Sequence, residues 1–188
     1  MSIDLNKMPK LGFGLMRLPE KDGVINLDEV CRMVDAYLDA GLTYFDTAYV
    51  YHGGNSEKIV KEALVKRHPR ESFTLATKLP AWCMKEEADR DRIFNEQLER
   101  CGVDYFDFYL LHSIEDGSNG DTYDRLNCWE WGEGKEGAGK DPPFRFFLPR
   151  KSGISGRAAG SPSGGGVCPD PAELCRLGKP GRLLWQAV

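Results

Sequence analysis

Four side chains that can move or stabilise a proton stand out in the sequence. They are a carboxylate, a phenol, an ammonium and an imidazole, supplied by Asp46, Tyr51, Lys78 and His112. A phenol is a weak acid at neutral pH, with a reference pKa of about 10, but a nearby ammonium stabilises the phenolate. Lys78 is suited to that task, Asp46 to holding Lys78, and His112 to orienting a substrate oxygen. Together they predict a site that protonates a carbonyl oxygen while hydride reaches the carbon.

Each of these residues has an ordinary structural role as its alternative. Tyr51 would lie at the edge of a core, Lys78 in solvent at a strand end, Asp46 at a strand cap and His112 in a loop. The spacing favours the functional interpretation, because 32 residues separate Asp46 from Lys78 and 34 separate Lys78 from His112. Each interval is about the length of one βα unit. Asp46, Lys78 and His112 therefore fall at the ends of successive strands.

Alternating strand and helix patterns would bring these side chains together. Short strands are expected at 10–19, LTYFDTA, SFTLATKLP and DYFDFYLLH. Between them, apolar residues recur at helical spacing, and the first helix has its apolar face at Val30, Met33, Val34, Tyr37 and Leu38. Further helices are expected at 56–68 and 86–101, with a fourth from Thr122. This alternation is typical of parallel strands joined by helices.

The fold class predicted from this alternation is α/β, as a (β/α)8 TIM barrel limited to about its first four βα units. In such a barrel the carboxyl ends of the strands form the active-site face. A doubly wound sheet would also gather strand ends on one side. Its phosphate loop normally follows the first strand as GxGxxG, and GFGLMR at 12–17 does not complete that motif.

The charge and hydropathy of the sequence argue against nucleic acid and membranes as binding partners. The net charge of −4 comes without a basic stripe, so nucleic acid is not expected as a partner. No apolar run reaches the roughly 18 residues of a spanning helix, and the first residues lack the apolar core of a signal peptide. We therefore expect no membrane partner and a cytoplasmic location.

The cysteines show no CxxC and no metal-ligand spacing, which predicts no metal site; they are Cys31, Cys83, Cys101, Cys128, Cys168 and Cys175.

Residues 8–131 resemble the bacterial branch of the aldo-keto reductases. Four motifs carry the resemblance in the order and spacing of that family: LGFGLMRLP, YFDTAYVYHGGNSE, LATKLP and DYFDFYLLHS. The resemblance implies that Tyr51 is the general acid, that Lys78 and Asp46 tune it, and that His112 positions the carbonyl. It also implies a small-molecule aldehyde or ketone as substrate and NADPH, with NADH as the alternative, as the cofactor.

The resemblance further implies a set of residues bordering the nicotinamide end of the cofactor: Gly14, Met16, Arg17, Asp46 and Thr47. The LMRLP form and the early Asp-rich helix are similar to a branch that often carries an iron–sulfur segment near its C-terminus. The cysteine cluster that such a segment needs is not in this sequence. An iron–sulfur cluster is therefore not expected.

The chain changes character after Trp131. Residues 132–188 contain 12 Gly and 7 Pro, whereas residues 1–131 contain 9 Gly and 4 Pro, so the second segment is expected to be irregular.

The same stretch of coding DNA, read in another frame, can encode a peptide similar to the family. With suitable synonymous codons, KDPPFRFF shifted by one base reads RIRHFGF, and the following codons give a helix pattern and QIQLNY, both similar to the family. We therefore expect a one-base frameshift between Gly132 and Gly139.

Two functions from other classes stay open. The chain would be a catalytically inactive half-barrel lacking most of the cofactor site, or a scaffold that binds carbonyl ligands at Tyr51 and His112 without redox chemistry. Four strands of an eight-strand barrel leave two open edges, and such edges favour pairing with another chain. Self-association through the open edges is therefore a further expectation.

Overall fold

A computed structural model of the chain describes residues 8–114, 117–137 and 146–147. All of them belong to the first of two units, Met1–Leu148; the second unit, Pro149–Val188, lies outside the described residues. The strands in chain order are β1 Gly12–Gly14, β2 Glu20–Lys21, β3 Val24–Ile25, β4 Tyr44–Asp46, β5 Thr74–Leu79, β6 Phe108–Leu111 and β7 Phe146–Phe147. All except β2 and β3 run parallel in one sheet, in the order β1-β4-β5-β6-β7. The sequence prediction of successive parallel βα units is confirmed.

Helices connect the strands and cover one face of the sheet. They are α1 Leu27–Asp39, α2 Ser56–Val60, α3 Ala88–Cys101, α4 Gly117–Arg125 and α5 Cys128–Gly137. α2 continues into a wider turn at Lys61–Val65. Asn26 begins α1 by accepting a hydrogen bond from the Glu29 amide, and Gly102, with φ 69°, ends α3. Within the described ranges, no helix is long and apolar enough to cross a membrane.

The alternation of side chains along the strands sets which residues share the inner face of the sheet. Asp46 lies opposite Ala76, and Lys78 lies opposite Leu110. Because side chains two residues apart point to the same face, Asp46 and Lys78 share one face, and His112, directly after β6, continues it. The opposite face, with Phe45, Leu75 and Tyr109, is buried against the helices.

Three features differ from the sequence prediction. The first strand covers Gly12–Gly14 instead of 10–19, and residues 20–25 form an antiparallel hairpin of β2 Glu20–Lys21 and β3 Val24–Ile25 that was not predicted. The helix expected from Thr122 is two helices, α4 and α5, since Asn127 adopts a left-handed conformation with φ 48° between them. Finally, α5 continues beyond Trp131 and β7 lies within 132–188. Most of that segment lies outside the described residues, so the predicted change to an irregular segment after Trp131 stays a prediction.

Gly12 makes room for an aromatic ring on the inner face. A Cβ atom at this position would lie 2.9 Å from Cδ1 of Tyr44, its neighbour on β4. The Tyr44 ring in turn packs against Phe108 on β6, with 5.6 Å between centroids. At Gly14, in contrast, a Cβ atom would meet no heavy atom within 4 Å. The two glycines of the GFG motif therefore have different roles: Gly12 accommodates Tyr44, and Gly14 leaves open space at the end of β1.

These environments predict opposite effects for two matched substitutions. Gly12→Ala forces the Tyr44 ring to shift and should lower the free energy of unfolding by about 1–3 kcal/mol, as overpacking does. Gly14→Ala meets no clash and should leave stability unchanged or raise it by up to about 1 kcal/mol, because the unfolded chain loses freedom. Urea unfolding followed by tryptophan fluorescence measures both. Equal losses for the two variants would contradict this account of Gly12.

Candidate active site

An ion pair between Lys78 and Asp46 occupies the carboxyl end of the sheet. Lys78 Nζ donates to Asp46 Oδ1 at 2.5 Å and to the Thr47 carbonyl at 2.7 Å. The Lys78 side chain is 14% exposed and that of Asp46 is 25% exposed. The ammonium is therefore fixed by two acceptors from β4 and the residue after it.

Tyr51 reaches the same ion pair from the turn that follows β4. The turn Tyr51–Gly54 contains two left-handed residues, His52 with φ 50° and Gly53 with φ 63°. Such conformations reverse the chain within a few residues. Lys78 Nζ lies 4.8 Å from the centroid of the Tyr51 ring. The ammonium therefore lies over the ring of the phenol.

His112 completes the group as a neutral imidazole. Its ring centroid lies 5.8 Å from that of Tyr51 in an edge-on arrangement. Burial, with a smaller effect of the Lys78 charge, lowers the pKa of His112 to about 4. At neutral pH the ring therefore carries one N–H donor and no charge. All four residues that the sequence places in the catalytic group come together at one end of the sheet.

The residues expected to border a nicotinamide fall into two groups. Gly14 and Arg17 are exposed beside the end of β1, and the Met16 side chain is 56% exposed. Because Gly14 pairs with Asp46 and faces open space, a flat ring could approach the backbone there. Thr47, however, is fully buried, and its hydroxyl is hydrogen-bonded to Ser56 at 2.8 Å. Its contact with the ion pair is through its carbonyl.

Ser56 bridges the ends of two strands. It is the first residue of α2, and Asn55 occupies the cap position without a side-chain hydrogen bond. The Ser56 hydroxyl donates to the Leu15 carbonyl at 2.9 Å and contacts the Thr47 hydroxyl. It thereby ties the end of β1 to the end of β4, which carries Asp46.

Sequence reasoning missed two residues beside His112. Trp82 is 53% exposed, and its ring centroid lies 5.0 Å from that of His112. Tyr123, on α4, is fully buried, and its hydroxyl lies 2.7 Å from the Leu79 carbonyl and 2.8 Å from that of His112. The position of Trp82 shortly after a strand end was a usable signal. Tyr123 gave none, because a tyrosine within a helix pattern usually packs in the core.

The arrangement suits proton transfer to an oxygen atom. It offers a phenol in contact with an ammonium, a carboxylate that fixes the ammonium, and a neutral imidazole edge-on to the phenol. A half-exposed tryptophan borders the imidazole and provides an apolar surface. Among the described residues, no group of three or more histidine, cysteine, aspartate or glutamate side chains is placed to hold a metal ion.

Comparison with known proteins gives one consistent family. A model of the aldo/keto reductase family matches residues 10–127. The aldehyde reductase YPR1 of Saccharomyces cerevisiae is 34% identical over 105 residues, which are 56% of this chain and 30% of the relative. L-galactose dehydrogenase of Arabidopsis thaliana is 31% identical over 116 residues, 60% of this chain and 36% of the relative. The chain thus spans about a third of the length of these curated relatives.

Solved structures also resemble the chain. An aldo-keto reductase from Klebsiella pneumoniae, in complex with NADPH, aligns over 65% of this chain and 42% of its own, with 28% identity and a TM-score of 0.49. An aldo-keto reductase from Bacillus halodurans aligns over 64% of this chain and 42% of its own, with 28% identity and a TM-score of 0.47.

The lowered pKa of His112 predicts a measurable acid titration. The His112 imidazole should titrate with a midpoint near pH 4 instead of 6.5. The unfolded chain takes up this proton first as pH falls below 6.5, so the native state should lose stability between pH 6.5 and 4. Imidazole ¹H–¹³C NMR resolves the three histidines, and His112→Gln assigns the signal. A midpoint at or above pH 6 would contradict the environment described for His112.

Proposed function

The chain belongs to the aldo/keto reductase family, and on that premise we propose that it is an NADP-linked oxidoreductase that reduces aldehydes and ketones to alcohols. The contact between Lys78 and Tyr51 carries the proposal. Tyr51 donates its hydroxyl proton to the carbonyl oxygen as negative charge develops there. The Lys78 ammonium, 4.8 Å from the ring centroid, stabilises the phenolate that remains. Asp46 holds the Lys78 side chain in place.

His112 orients the substrate in this scheme. A neutral imidazole edge-on to Tyr51 donates its N–H to the same carbonyl oxygen without repelling Lys78. An imidazolium would add a second positive charge beside the ammonium. Trp82 borders His112 and supplies an apolar contact for the part of the substrate that carries the carbonyl. The substrate is therefore a small carbonyl compound with an apolar or flat portion.

The cofactor residues fit a nicotinamide at the end of β1. When bound, the nicotinamide supplies the hydride that reduces the carbonyl carbon. Gly14 leaves its backbone open, Met16 and Arg17 are exposed beside it, and Asp46 is next to it in the sheet. Thr47 supports this edge through the Ser56 bridge. NADPH is proposed as the cofactor, with NADH as the alternative.

The second candidate is that the printed chain is a catalytically inactive fragment. It is favoured by the Gly- and Pro-rich composition of 132–188 and by the family-like peptide that a one-base shift between Gly132 and Gly139 yields. In that case the printed 132–188 segment replaces the residues that would complete the cofactor site. The enzyme itself is then encoded by the restored frame.

Sequencing the coding DNA across codons 125–188 separates these candidates. A missing or added base near codon 135 means that the restored frame encodes the reductase, and that protein should bind NADPH with quenching of tryptophan fluorescence. DNA that reads straight through in the printed frame, with no family-like peptide in the shifted frame, would refute the frameshift. NADPH binding by the printed chain would refute its description as an inactive fragment.

Removing the phenolic hydroxyl tests the acid. Tyr51→Phe should lower kcat for NADPH-dependent carbonyl reduction by about 10²–10⁴-fold, the range that general acid catalysis contributes. NADPH affinity should stay within about twofold, because the ring is retained.

Tyr49 offers a matched control in the same motif. Its hydroxyl donates to Glu96 at 2.6 Å, away from Lys78, so Tyr49→Phe should leave kcat within about twofold. Comparable activity in Tyr51→Phe and Tyr49→Phe would show that the Tyr51 hydroxyl is not the proton donor.

A further inference from the structure

A buried polar network lies directly behind Lys78, on the helix-covered face of the sheet. Four of its members, Glu57, Thr77, Gln97 and Tyr109, are fully buried. Glu57 Oε1 accepts from Thr77 Oγ1 and from Gln97 Nε2, each at 2.8 Å. Burying a carboxylate is unfavourable unless it is hydrogen-bonded, and burial raises the pKa of Glu57. Arg100 lies 3.6 Å from the second oxygen of this carboxylate.

The chemistry of its neighbours fixes the orientation of the Gln97 amide. Glu57 Oε1 accepts hydrogen bonds, so it faces the amide nitrogen of Gln97. On the other side, the Tyr109 hydroxyl donates to Gln97 Oε1 at 2.5 Å. Reversing the amide would place an oxygen against the carboxylate. Gln97 is therefore held in one orientation, and a group held from both sides positions whatever else it contacts.

Two such contacts exist: the Thr77 hydroxyl, 2.9 Å from Gln97 Nε2, and the backbone of Lys78. Gln97 Nε2 lies 3.1 Å from the Lys78 carbonyl. Carbonyls of alternate residues in a strand point to the same neighbour. The Ala76 carbonyl accepts from the Thr47 amide on the β4 side, so the Lys78 carbonyl points to that side too. The pairing of β5 with β4 ends at Ala76. Gln97 thus provides the donor that β4 no longer supplies.

We propose that Gln97, oriented by Glu57 and Tyr109, is a positioning residue that sets where the Lys78 ammonium meets Asp46 and Tyr51. Lys78 is held at both ends. Its carbonyl is bonded to Gln97, and its ammonium is bonded to Asp46 and to the Thr47 carbonyl. The proposal rests on the proposed function, because Lys78 matters there as the cation beside the acid.

The reactivity of the Lys78 amine in the full chain tests the proposal without requiring activity. Competitive acetylation followed by peptide mass spectrometry gives the labelling of Lys78 relative to that of the exposed Lys85. Gln97→Met keeps an unbranched side chain of similar size but removes the donor. It should raise the Lys78 to Lys85 ratio at least threefold. Tyr109→Phe, a milder change that frees the Gln97 oxygen, should raise the ratio about twofold.

Two controls separate positioning from general loosening. Asn95→Met, on the exposed side of the same helix, should leave the ratio unchanged. The buried Cys101 thiol, at the end of α3, should stay protected from alkylation in every variant. An unchanged Lys78 ratio in Gln97→Met and Tyr109→Phe would overturn the proposal, and so would a rise accompanied by exposure of Cys101.

Activity measurements then show whether a negative result concerns the positioning role of Gln97 or the proposed reductase function. In a chain that reduces carbonyl compounds, Gln97→Met should lower kcat about tenfold and leave KM within about twofold. Absence of activity in both the printed and the restored frame refutes the proposed function, whereas the labelling result on Lys78 still decides the role of Gln97.

Discussion

The ion pair of Lys78 and Asp46 is the interaction on which the site depends. Both side chains are largely removed from water, and the desolvation of such a pair offsets much of its attraction. The pair therefore contributes more to the positions of the two side chains than to the stability of the fold. Asp46 and the Thr47 carbonyl hold a positive charge against the ring of Tyr51. The same charge contributes to keeping His112 neutral.

The surrounding structure constrains the two partners through their backbones. Ser56 ties the end of β4 to that of β1, and Gln97 bonds the Lys78 carbonyl where strand pairing ends. Both contacts depend on residues at the start of α2. Ser56 makes the first, and Glu57, which directly follows Ser56, orients Gln97 for the second. The last residues of the YFDTAYVYHGGNSE motif, Ser56 and Glu57, therefore support the proposed catalytic residues of the same motif, Asp46 and Tyr51. A chemical motif and its structural support are contiguous in the sequence.

Much of this arrangement could be predicted from the sequence, because strands and helices recur with a period of about one βα unit. That spacing placed Asp46, Lys78 and His112 at successive strand ends, and the pairing of the strands in the structure shows that they share one face. The rest depends on tertiary contacts. Gln97 is four residues after Ile93 and three after Phe94, so a polar residue on a buried helix face was a visible signal, but its partners were not. The break at Asn127 and the hairpin at 20–25 arise from local backbone conformations that the apolar pattern does not encode.

The most direct test of the proposed catalytic group is a double-mutant cycle on Asp46 and Lys78. It is measured as kcat for NADPH-dependent carbonyl reduction, in whichever of the two proteins, the printed chain or the restored frame, has that activity. If Asp46 acts by holding Lys78, the variants Asp46→Asn and Lys78→Met should each lose most of the activity. The double variant should then lose little more than Lys78→Met alone, since residues acting as a unit are not additive. Additive losses, or full activity in Lys78→Met, would contradict the proposed chemistry.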